Sequence, residues 1–431
     1  MLSIGIASTG VLTLAYFAIA SHLLKGEKAP QYSHLDVLWS VMFVIISVIY
    51  RPIEQLLSRT IADHEARGIR GLPMRVPITI QGAFALLFVA VALPLHGELA
   101  HHVFFSETLY WVFVVGIVAY GASYFARGWL AGHRYFALYG GLVFMESLSR
   151  IAFAIAAAIG ISHGQSAIGL GIAAAPFVSL VVVPAAFASR AAHGAERPPA
   201  TDAALEGPAT EGIEEAVSDL SIRRGSGFAF SVAGIQLAEQ TLLNAAVLTV
   251  AATSSGASAG KLPGIVFDVL LITRAPLQLF QAIQTSLLPH LAGLEATEGH
   301  DAFARAIRIT LFAIAAFAAA TAIGLLAIGP FVMRHLFGYD FAYDNLGLAV
   351  VGIGMGLHLS AGTLNQAALA RGQAARAALL WLAAGALFVG WMLLSVIGNQ
   401  VARTEVGYAG AAGLLAIALW LLYRRGSLHG A

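Results

Sequence analysis

The chain has 431 residues, 58% of them hydrophobic and 11% charged, with a mean hydropathy of +0.80. So little polar surface cannot wrap a water-soluble globule of this size, and several apolar runs exceed the ~20 residues that cross a bilayer, which predicts an all-α polytopic membrane protein. A formal charge of +1 with no basic block excludes nucleic acid as a partner, zero Cys excludes thiolate metal sites and cysteine nucleophiles, and continuous Ala-, Gly-, Leu- and Val-rich runs exclude a membrane barrel.

Apolar windows bounded by charge, Gly or Pro fall at 3–24, 35–58, 76–96, 107–126, 135–161 and 166–189. The first begins at Ser3 without the basic region of a cleavable signal and is read as a retained span. Six more windows follow at 226–252, 262–288, 306–328, 343–369, 377–398 and 404–423, for twelve predicted transmembrane helices. Between the two sets, residues 191–225 hold Pro198, Pro199 and Pro208 and seven carboxylates from Glu196 to Asp219, the composition of a flexible linker. Ile213, Val217 and Leu220 within it stand at helical spacing, so a short surface helix before span seven is the alternative. The predicted organisation is an N-terminal six-helix lobe over 1–190, an acidic, Pro-containing cytoplasmic linker over 191–225, and a C-terminal six-helix lobe with a short tail over 226–431.

Lys and Arg accumulate in cytoplasmic loops because they resist translocation. Sixteen of the 24 basic residues fall in the even-numbered loops and the C-terminal tail and five in the odd loops, which predicts that both termini are cytoplasmic. The halves also resemble each other faintly: Leu56–Gly68, leaving span two, matches Leu287–Gly299, leaving span eight, at three of thirteen positions. Two lobes in parallel orientation are expected, with a substrate cavity between them near mid-membrane.

Seven ionisable residues lie toward the centres of spans, where each costs ~2.5–3.5 kcal/mol on insertion scales and is a functional suspect by default. They are Arg51 and Glu54 on span two, Glu146 and Arg150 on span five, Glu239 on span seven, and Asp268 and Arg274 on span eight. Glu146 and Arg150 are four apart with the acid first, the spacing of an intrahelical pair that either lines the cavity or is purely structural. Arg51 precedes Pro52 and Arg274 stands two residues before Pro276, so Pro52 and Pro276 are candidate hinges beside a charge. On span seven Gln236, Glu239, Gln240 and Asn244 form one polar stripe, and Gln278, Gln281 and Gln284 extend a similar face on span eight. Such stripes face inward, toward a substrate or into interhelical hydrogen bonds. His358 on span ten reads as a packed helix residue rather than a proton carrier, and glycines such as Gly352, Gly354 and Gly356 as close helix packing. No phosphate loop, HExxH, GxSxG or DxD-type cluster is present, so neither an enzyme nor a metal site is expected.

Three segments carry a resemblance to a known family: YRPIEQLLSRTIADHEARG (50–68), ARGWLAGHRYFALYGGL (126–142) and RAPLQLFQAIQTSLLPHLAGLEATEG (274–299). In layout along nearly the whole chain, the sequence resembles the multidrug, oligosaccharidyl-lipid and polysaccharide exporter superfamily, and within it the bacterial polysaccharide flippases. The resemblance implies a two-lobed, V-shaped alternating-access transporter in the bacterial plasma membrane. Its cargo would be a polyprenyl-diphosphate-linked oligosaccharide moved from the cytoplasmic to the outer leaflet for cell-surface polysaccharide biosynthesis, with the lipid tail left among membrane lipids and a functional link to glycosyltransferases and a polymerase. In the lipid-flipping branch, arginines on spans one, two and eight contact the diphosphate-sugar region. Arg51 and Arg274 match two of these, whereas span one here carries no charge.

The expected substrate-binding residues are therefore Arg51, Arg274, Glu54, Gln278, Gln236 and Asn244, and the expected ion-coupling residues Glu239 and Asp268, with H+ or Na+ as the driving ion and no other cofactor. The seven buried charges sum to −1, so the alternative is an organic-cation multidrug exporter of the same superfamily, with Glu239 and Asp268 as binding and coupling groups.

Overall fold

The computed structural model describes residues 2–66, 75–184, 211–255, 260–272, 277, 300–338 and 343–428. Those residues form helices and connections with no strand among them. In chain order the helices are α1 (Leu2–Leu23), α2 (Ala29–Ala66), α3 (Arg75–Ala92), α4 (Glu107–Gly132), α5 (Phe136–Ala158) and α6 (Gly164–Ser179). They continue as α7 (Glu211–Thr253), α8 (Leu262–Ile272), α9 (His300–Phe337), α10 (Asn345–Ala370), α11 (Ala374–Leu393) and α12 (Gln400–Leu428).

Each predicted window meets one of these helices; the eighth, beyond Ile272, runs out of the described residues. Among the described residues, nine helices are long and apolar enough to cross a membrane. A tenth span results if Pro77–Ala92 is taken with His96–Val103, to which it is bent by 71°. The first and eighth windows appear as shorter apolar helices, Ser8–Leu23 and Leu262–Ile272. This is a multi-pass membrane protein. One boundary differs from the expectation: residues 211–225, placed in the linker, belong to α7, in keeping with the helical spacing of Ile213, Val217 and Leu220. Residues 191–210 lie outside the described residues.

Local signals fix several ends. The Ser106 side chain accepts a hydrogen bond from the Leu109 amide and Asp344 accepts one from the Gly347 amide, capping the first turns of α4 and α10. The reversal from α10 into α11 passes through Gly372, whose φ of +70° is open to glycine at little cost.

Helix pairings fall into two sets. In the first, α1 packs on α5, α5 on α6, α4 on α6, and α2 on α4; in the second, α7 packs on α11, α11 on α12, and α10 on α12 and α9. The pairs α1–α5, α5–α6 and α4–α6 thus recur six helices later as α7–α11, α11–α12 and α10–α12. Small residues permit the close approaches: a Cβ on Gly354 would lie 2.9 Å from the Ala409 Cα, and one on Gly128 would lie 2.8 Å from the Glu54 carbonyl oxygen. Apolar side chains left outside the bundle are abundant, as on α9, where Ile309, Phe312, Ile323 and Phe331 are all exposed, the pattern of a helix bathed in acyl chains.

The two sets meet chiefly where α2 runs along α7, with a smaller contact between α1 and α9. Near the end of the bundle opposite the N-terminus, α1 and α2 also touch α8, with the Phe17 and Phe267 rings 4.6 Å apart and the Gly264 amide donating to the Ser33 Oγ at 3.2 Å.

Candidate functional site

Helix α2 carries Arg51 and Glu54 on its inner face, both half-buried, and its neighbours surround them with polar side chains. On α4, Tyr120, Ser123, Tyr124 and Arg127 stand at i, i+3, i+4 and i+7 and so share one face, which is buried. On α5, Glu146, Ser147 and Arg150 are buried opposite that face. Glu146 forms an ion pair with Arg127 and accepts a hydrogen bond from the Ser123 hydroxyl. Arg150 donates to the Tyr120 hydroxyl and the Ser147 Oγ, each at 2.9 Å, and lies over the Trp39 ring of α2, 5.3 Å from its centroid. The Arg127 guanidinium likewise covers the Tyr124 ring at 4.3 Å. Glu54 accepts from the Tyr139 hydroxyl at 2.7 Å.

The expected pairing of Glu146 with Arg150 is corrected here. Although the two are four residues apart, Glu146 takes Arg127 of the neighbouring helix, and Arg150 turns to Tyr120, Ser147 and Trp39. The predicted fourth span ends at residue 126, just short of Arg127, whereas α4 continues to Gly132 and carries it inside.

The polar stripe of α7 faces α2. The Arg51 Nη1 donates to the Gln236 Oε1 at 2.9 Å, joining the first helix set to the second. Glu239 is half-buried, and Asn244 donates to the carbonyl and side-chain oxygens of Gln240 one turn back, at 3.1 and 3.0 Å. His358 is buried between the Trp381 and Tyr408 rings, 5.5 and 6.1 Å away, the packed environment its position predicts.

Asp268 sits apart from this cluster. It is fully buried on α8 and accepts a hydrogen bond from the Tyr32 hydroxyl of α2 at 2.6 Å. Arg274, Pro276, Gln278, Gln281 and Gln284 lie outside the described residues. Pro52 sits within a continuous α2.

Sequence reading missed Tyr120, Ser123, Tyr124, Arg127 and Tyr139, as well as Tyr32 and Asp36 near the start of α2. The signal was there in α4: four polar or aromatic side chains at heptad-like spacing inside an apolar run. No three His, Asp or Glu side chains converge as a metal-binding group among the described residues.

No family model and no curated protein matches the sequence. Solved structures do. An inward-facing multidrug-resistance MATE-family transporter of the MOP superfamily superposes with a TM-score of 0.72, at 13% identity over 98% of this chain and 97% of that one. The chain shares the fold of that transporter along nearly its whole length. A MOP-superfamily transporter from Pyrococcus furiosus, characterised by a binding pocket of reversed polarity that suggests a different function, gives a TM-score of 0.65 at 15% identity, covering 98% of this chain and 94% of that one. The Vibrio cholerae MATE transporter VcmN, in a mutant form, gives 0.61 at 14% identity, covering 100% and 98%.

Proposed function

We propose that this protein is a transporter that moves a polyprenyl-diphosphate-linked oligosaccharide from the cytoplasmic to the outer leaflet of a bacterial plasma membrane, with both termini in the cytoplasm. The observation that carries the reading is Arg51, half-buried on α2 where the first helix set meets α7. There its Nη1 donates to the neutral amide of Gln236, and the Glu54 and Glu239 carboxylates stand near enough to act on its charge. Around it stand Arg127 and Arg150 with Glu54, Glu146 and, one turn beyond Gln236 on α7, Glu239, three cations to three anions. A diphosphate leaving water needs cationic partners, and the planar fork of arginine matches phosphate oxygens. Tyr124, Tyr139 and Trp39 supply flat faces and hydroxyls beside the charges, suited to a sugar ring.

In this reading Glu239 and Asp268 are the ion-coupling carboxylates, and Arg274 and Gln278 are further binding residues. The test is a reconstituted bilayer containing a fluorescent polyprenyl-diphosphate sugar. Protein-dependent movement between leaflets, lost with Arg51→Ala, supports the reading; movement that is equal with and without protein ends it.

A multidrug exporter is the second reading, favoured by the half-buried Glu239 on the polar stripe of α7, since a carboxylate there suits an organic cation. The likeness to a multidrug-resistance transporter adds support. Dye efflux that depends on Glu239, with no glycan movement, would select it.

A further inference from the structure

Helices α2 and α8 enter the bundle at the end opposite the N-terminus and interlock there. Tyr32, Ser33 and Asp36 of α2 face Gly264 and Asp268 of α8. The Tyr32 hydroxyl donates to the Asp268 Oδ1 at 2.6 Å and the Gly264 amide to the Ser33 Oγ at 3.2 Å. A Cβ on Gly264 would meet the Ser33 Oγ at 3.0 Å, the Tyr32 ring at 3.1 Å and the Asp36 Oδ2 at 3.2 Å, so any larger residue would wedge the seam apart. Asp36 is one turn beyond Tyr32, as Asp268 is one turn beyond Gly264, which puts the two carboxyl groups at similar depth on facing helices. Both are fully buried, and the Asp268 Oδ2 makes no hydrogen bond among the described residues.

Other charged and titratable groups near the seam are accounted for. Tyr343, between α9 and α10, is close enough that the Asp268 and Asp36 carboxyls add to burial in pushing its phenol well above the usual range. Arg150 approaches from α5 only as far as Trp39, where Tyr120 and Ser147 hold it. His34 of α2 stacks on Phe105, and Lys261 at the head of α8 is exposed. From α1, the buried Tyr16 stands near Asp36 and Arg150, its hydroxyl donating to the Ile168 carbonyl at 3.0 Å, and Phe17 packs on Phe267.

We infer that Asp36 and Asp268 form a proton-binding site that latches the two halves of the protein together at the end opposite the N-terminus. Two facing carboxyl groups in a seam closed to water cannot both carry charge, because neither keeps its hydration and each repels the other. Closure takes up a proton that the pair shares with the Tyr32 hydroxyl, and opening, which lets water in, releases it. Acid therefore favours the closed seam. The inference rests on the alternation of the two halves and not on the cargo, so loss of glycan movement with an intact pH response would sink the proposed cargo and spare the latch.

The test uses the full chain in lipid nanodiscs without substrate. Since the protein has no Cys, Lys28→Cys and Lys261→Cys, both at exposed positions flanking the seam, can be spin-labelled alone and their separation read by electron–electron resonance. Between pH ~8 and ~5 the ratio of closed to open populations should rise with acid, by up to about tenfold per pH unit for one coupled proton. Asp268→Asn should stay closed at every pH, as should Asp36→Asn, while Glu107→Gln, an exposed carboxylate on α4, should respond like the parent. A parent distance distribution that ignores pH overturns the latch, as does one that answers to sodium at fixed pH, or an Asp268→Asn response equal to that of the parent. Should neither Asn variant fold, the pH titration of the parent alone decides.

Discussion

Arg51 and Gln236 are 185 residues apart in sequence and joined at 2.9 Å, the Arg51 Nη1 on α2 donating to the Gln236 Oε1 on α7. A hydrogen bond to a charged group is worth about 1.5–3 kcal/mol, enough to bias the contact between two halves that must separate and rejoin. Arg51→Ala should abolish surface glycan while the protein remains at normal abundance in the membrane. Arg51→Lys, which keeps the charge but loses the fork, should reduce export roughly tenfold. Labelling of surface polysaccharide beside an immunoblot checks both, and unchanged export in Arg51→Ala would remove the residue from the mechanism.

The Arg127–Glu146 pair is buried between α4 and α5, so removing one partner strands the other charge. Arg127→Met or Glu146→Leu alone should each cost about 3–5 kcal/mol, whereas the double variant should recover most of the loss because no charge is left behind. Thermal unfolding in detergent measures the difference. Additive losses in the double variant would show that the pair is not the stabilising unit.

Gly128 lets α4 approach α2 beside Glu54, with only 2.8 Å between a would-be Cβ and the Glu54 carbonyl oxygen. Gly128→Val should cost about 1–3 kcal/mol by overpacking and should also lower transport, because the backbone that moves is the one holding Glu54 and Arg51. Transport normalised to folded protein separates the two effects.

Glu239→Gln should leave a basal rate of movement but lower the acceleration given by an ion gradient about tenfold, equivalent to ~1.4 kcal/mol of lost coupling. Proteoliposomes with and without an imposed proton or sodium gradient provide the measurement. An undiminished response to both gradients would exclude Glu239 as a coupling group.

The helical layout was legible because membrane helices must satisfy their backbone internally and be apolar over a fixed length, which leaves windows such as 107–126 and 343–369 plain in the sequence. The ends were less legible. Arg127 looked like a loop arginine because charge marks the usual end of a span, yet α4 carries it inward for another turn, where Glu146 compensates it. Partner choice was not legible at all: the spacing of Glu146 and Arg150 proposes a pair, and only the packing of α4 on α5 offers Arg127 instead. Asp36 escaped notice because it stands one residue inside the start of its apolar window, where a carboxylate passes for an interfacial group, and its burial depends on α8, more than two hundred residues away.

Helix α2 is an unbroken rod of 38 residues, ~57 Å at 1.5 Å per residue, and it bears Asp36 near one end and Arg51 some ~22 Å further along. A stiff beam of that length transmits tilt without needing a relay of side chains. If it pivots between those two points, a displacement at one is answered by an opposite displacement at the other, so the clasp beside α8 and the grip on α7 are geared to each other by the backbone itself.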